Sequence, residues 1–181
     1  MALFLANGSI GQSGGEYVGQ VVYAQNNTVV SYSFSNNAPA TTAVTIVTSP
    51  SITPQSTNSR FLVYGQTTGW VSQMTINYEW DMSLYRNQSG NASFIGGNTN
   101  TSYWKGSSVH ASGQPGIESG QTNNFMYVDH PNNTTALTYQ IEVRGGESTT
   151  YYFNRGRTGS AAYHFSNTGG SYIVVQELCT V

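Results

Sequence analysis

The chain has 181 residues, enough for one domain with a full core. Only 8% of them are Asp, Glu, Lys or Arg, against about 25% in a typical soluble protein, and the formal net charge is −2 with a single lysine, Lys105. That balance argues against direct binding of nucleic acid, which draws on Lys and Arg contacts to phosphate, and against an anionic membrane as partner.

Residues 1–16 carry Gly8, Gly11, Gly14 and Gly15 behind an apolar tip, Leu3-Phe4-Leu5, and read as an extended arm. The tip has no basic flank and no long apolar core, so it makes a poor signal peptide. No apolar run approaches the roughly 20 residues of a membrane span. The product is expected to be made in a cytoplasm and used as a soluble or assembled particle. Residues 17–181 then read as one β domain. Strand-like runs at 17–23 and 28–34 flank Ala24-Gln25-Asn26-Asn27, a plausible hairpin turn. Residues 43–48 alternate as a further strand, 49–59 with Pro50 and Pro54 form a loop, and 60–64 is an apolar, central-looking strand.

Residues 73–86 are the longest periodic segment. Met74, Ile76, Tyr78, Trp80, Met82 and Leu84 share one face, which is the period of a strand and not of a helix. Residues 87–100 are rich in Gly, Asn and Ser and hold a short strand near 93–95; another short strand follows at 101–105. A long loop at 107–121 leads into the apolar run 125–128. Asp129, His130, Pro131, Asn132 and Asn133 are turn residues. Leu137, Tyr139, Ile141 and Val143 then alternate with polar neighbours, Gly145-Gly146 ends that strand, and 149–154 begins the next. After a loop at 156–170 the chain closes with 171–178, whose Tyr172-Ile173-Val174-Val175 is apolar on both faces and so reads as interior. The total is about ten strands and no helix, with turns at the spacing of an antiparallel β-sandwich or jelly roll.

Several of these pieces resemble a family of small all-β domains found in bacteriophage structural proteins, especially those of cyanophages and other aquatic phages. They are Ser51-Ile52-Thr53-Pro54 followed by Ser59-Arg60-Phe61-Leu62-Val63; the segment 129–144 with its core Thr138-Tyr139-Gln140-Ile141-Glu142-Val143-Arg144; Tyr152-Phe153-Asn154-Arg155 together with 172–178; and Leu84-Tyr85-Arg86-Asn87 at the end of a long strand. The resemblance runs from about residue 20 to 178. It departs from the family at 156–170, which is poor in acidic residues, and at the 87–121 loop, which has no obvious counterpart. It implies a jelly roll like the C1q and tumour-necrosis-factor fold, assembly as a homotrimer, and a place in a virion. In that fold the last strand lies beside the trimer axis, which makes Tyr139, Ile141, Tyr172 and Val174 candidates for subunit contact. Low charge and many tyrosines suit such an interface.

The residue types that carry chemistry are sparse. His110, His130 and His164 lie far apart on loops with no second ligand at metal spacing, and no calcium-loop pattern occurs, so no metal or cofactor is expected. Asp129-His130, next to Pro131, reads as a turn and not as a catalytic dyad. Glu79 and Asp81 share a strand face, but a glycosidase would need a partner across a cleft. Cys179 is the single cysteine, so no disulfide can form within the chain; it reads as an inert buried thiol. Asn-x-Ser/Thr sequons at Asn7, Asn26, Asn87, Asn91, Asn100, Asn132 and Asn133 arise by chance in so Asn- and Thr-rich a chain. The leading expectation is a non-enzymatic phage virion protein that decorates or cements the capsid as trimers, with Leu3, Phe4 and Leu5 of the arm contacting the major capsid protein or other virion proteins. The alternative is the receptor-binding head of a tail or head fibre. It would grip a host-surface glycan with Trp70 and Trp104, which lie near loop boundaries, whereas Trp80 reads as core.

Overall fold

The structure is a computed structural model that describes residues 15–35, 43–71, 80–95, 104–105, 121–145, 148, 150–154 and 170–180. Eleven strands occur among them: β1 (Glu16–Asn26), β2 (Val30–Ser33), β3 (Val44–Thr48), β4 (Arg60–Val71), β5 (Trp80–Gln88), β6 (Asn91–Phe94), β7 (Trp104–Lys105), β8 (Gln121–Asp129), β9 (Leu137–Gly145), β10 (Thr150–Phe153) and β11 (Ser171–Thr180). The fold is all-β, as composition and period indicate. The expected arm lies almost wholly outside the described residues, as do all of 73–79 and nearly all of the 107–121 and 156–170 loops.

The pairings nest. β1 pairs β11, β2 pairs β10, β3 pairs β9, β4 pairs β8 and β5 pairs β6, all antiparallel. This is one long hairpin rolled up on itself, the defining topology of a jelly roll. It gives two sheets. The first runs β1-β11-β4-β10-β2, with β8 on the other side of β4; the second runs β3-β9-β5-β6, with β7 also on β5. Alternation decides what each strand buries. β9 and β11 bury every second residue. Phe61, Val63, Phe153, Ile173 and Val175 from the first sheet meet Met82, Leu84, Tyr139, Ile141 and Val143 from the second, all fully buried. Each such side chain contributes about 1.5–3 kcal/mol. Trp80 is core, as its strand face indicates, with its ring edge-on to Phe153 at 5.3 Å.

Three segments differ from their sequence reading. β4 runs twelve residues, well past Tyr64 where the apolar run ends, through Gly65-Gln66-Thr67-Thr68-Gly69. The glycine at 65 is steric: a Cβ there would lie 2.2 Å from the Tyr172 carbonyl oxygen on β11. Residues 87–92, expected as loop, are a tight hairpin. Ser89 (φ 52°) and Gly90 (φ 80°) both take the left-handed backbone of a two-residue type I′ turn between β5 and β6. The 49–59 loop is stitched to β9 through paired bonds between Ile52 and Leu137, 2.9 Å each way, which carries Ile52 into the core.

Asn154, just after β10, holds the far end of the roll. Its φ is +61°, a conformation Asn tolerates better than most residues. Its buried side chain accepts bonds from Ser171 N (2.8 Å) and Ser171 Oγ (2.5 Å) and donates Nδ2 to Thr28 O (3.0 Å). One side chain therefore joins β10, β11 and the β1–β2 turn. Asn154→Ala is expected to lower stability by about 2–3 kcal/mol, read as a fall in thermal midpoint of roughly 5–10 °C. Asn154→Gly, which keeps the backbone but not the bonds, is expected to lose less.

Candidate functional site

The carboxylates of the described residues are spent on holding strands together. Asp129 closes β8 in the first sheet and is buried, not in a turn as the sequence suggests. It accepts bonds from Arg86 Nη1 on β5 at 2.9 and 2.8 Å and from Tyr139 Oη on β9 at 2.7 Å. These two donors belong to the second sheet, so the cluster is a polar tie across the sandwich. Burial, reinforced by the Asp129 carboxylate, pushes the Tyr139 phenol far up, so it stays a donor throughout the working range of pH. His130, next along, is exposed. The signal for this tie was present in the sequence: Arg86 continues the face of Trp80, Met82 and Leu84, and a guanidinium on a buried face requires a buried acceptor.

Asp81 pairs with Arg144 across β5 and β9, Nη2 to Oδ2 at 3.0 Å. This occupies one of the two carboxylates considered for hydrolysis; Glu79 lies outside the described residues. Glu177, fully buried on β11, accepts from Gln20 Nε2 (2.8 Å) and from Gln55 N (2.6 Å). Gln20 reaches it because β1 carries a bulge between Val18 and Val21. Gly19 leaves the room: a Cβ there would meet Cys179 Sγ at 2.7 Å. Cys179 is buried, and that burial raises its pKa, in keeping with an inert thiol. Glu16 pairs with Arg60 at the same end. Glu142 accepts from Gln140 Nε2 (2.6 Å) and from Thr45, and burial pushes its pKa up.

The structure divides the candidates for subunit contact. Tyr139 and Ile141 are 0% exposed, packed between the sheets with the Tyr139 ring 6.0 Å from Phe61, and have no surface to offer a second chain. They are corrected to core: on β9 the apolar face is the inner one. Tyr172 and Val174 are on the opposite side of β11 from Ile173 and Val175, on the outer face of the first sheet, half-buried. Trp70 and Trp104 have backbone places on β4 and β7, but their side chains lie outside the described residues, as do Leu3, Phe4 and Leu5.

Strand register extends Val174 into a row the sequence did not reveal. Tyr23 on β1, Val174 on β11, Tyr64 on β4 and Met126 on β8 lie side by side across four strands. The next row is Val21, Gln176, Leu62 and Val128. Tyr23 is 50%, Met126 71% and Val128 48% exposed. The outer face of the second sheet is different in kind: it presents Asp81 and Arg144, Ser83 and Glu142, Tyr85 and Gln140.

No protein-family model matches this sequence, and no curated protein sequence matches it. Among solved structures the chain is similar to one described as "Structure of infectious bursal disease virus Gt strain", with 12% identity and a TM-score of 0.37, covering 93% of this chain and 42% of that one. The chain thus spans less than half the length of that neighbour.

Two outcomes follow for stability. Asp129→Ala strands Arg86 and the Tyr139 hydroxyl together and is expected to cost about 3–5 kcal/mol in chemical denaturation, while Tyr139→Phe, which leaves the ion pair, costs about 1–2. Glu142 has a folded pKa above its unfolded one, so it favours the fold below the unfolded pKa and loses that contribution as pH rises through the folded pKa. Glu142→Gln is therefore expected to raise stability at pH 7, by no more than about 1 kcal/mol given its partial exposure, read as a higher thermal midpoint, and to lose the advantage near pH 4.

Proposed function

We propose that the chain is a non-enzymatic structural protein of a phage virion, assembling as a homotrimer that decorates or cements the capsid. The observation that carries this reading is where the charge goes. Glu16, Asp81, Asp129, Glu142 and Glu177 each accept a bond from another side chain or a backbone amide within the fold. Among the described residues these carboxylates tie strand to strand and edge to loop, which supports a structural role over a carboxylate-based hydrolase. The resemblance in the segments around Ile52, Arg86, Ile141 and Val174 points the same way, because it supplies both the trimer and the virion. Stability on a particle would come from many modest contacts repeated over identical copies.

The test uses the full chain and a form beginning at Glu16. Light scattering gives the mass of each, and each is then mixed with capsids of the parent phage that lack the protein. A trimer in both forms, with capsid binding lost in the shorter one, is the expected result and assigns the capsid contact to the arm. A trimer that ignores capsids and adheres to host cells would move the protein to a fibre head. A monomer in both forms would overturn the assembly reading.

A further inference from the structure

We draw no further inference here: the strongest candidate, the apolar patch on the outer face of the first sheet around Tyr23, Val174, Tyr64 and Met126, is small and edged by amide side chains, and nothing in the structure shows what covers it.

Discussion

The nested pairing of the two ends of the chain is the constraint on which the rest of the structure depends. β1 lies against β11 at the edge of the first sheet, so residues 16–26 and 171–180 must meet for that sheet to be complete. Loop-closure entropy opposes such long-range pairing, and folds built this way form slowly. The molecule answers with fixed polar ties where the roll closes: Glu177 holds the bulged start of β1 and the 49–59 loop, and Asn154 holds the start of β11 and the β1–β2 turn. These are not isolated hydrogen bonds. Each joins segments far apart in sequence, so each acts on the topology and not only on a local turn.

The two sheets are coupled by apolar packing along most of their length and by a polar cluster at the Asp129 end. That cluster places a guanidinium, a carboxylate and a phenol within the sandwich, all mutually satisfied. A half-satisfied version would be worse than an apolar core. Its value lies in register: Arg86 and Tyr139 are cross-strand partners on β5 and β9, and a one-residue slip of either strand would turn one of them outward and leave Asp129 short of a donor.

The two outer faces differ. The second sheet faces outward with ion-paired and amide side chains; the first presents Tyr, Val, Leu and Met flanked by Gln25, Gln66, Asn124 and Gln176. A chain with so few charges has few means of keeping a surface wet. Among the described residues its acidic groups are engaged in ties within the fold, on both sheets.

The sequence by itself determined the class of fold and much of its alternation. The period of two in 137–143 and in 80–84, and the two-sided apolar run at 172–175, follow from local chemistry, because side chains on a strand point alternately to its two faces whatever the strand pairs with. It also held the signal of Arg86 and Glu177, charged residues on buried faces. It did not show that Tyr139 and Ile141 face the other sheet and not a neighbouring subunit, since period gives two faces without saying which is inside. Nor did it show that β4 continues past Tyr64 through Gly65, where a Cβ would run into the Tyr172 carbonyl of β11: the need for that glycine comes from a strand far away in sequence. The tertiary structure alone decided the row of Tyr23, Val174, Tyr64 and Met126, because those residues lie on four strands separated by most of the chain and become neighbours only when hydrogen-bond register sets them side by side.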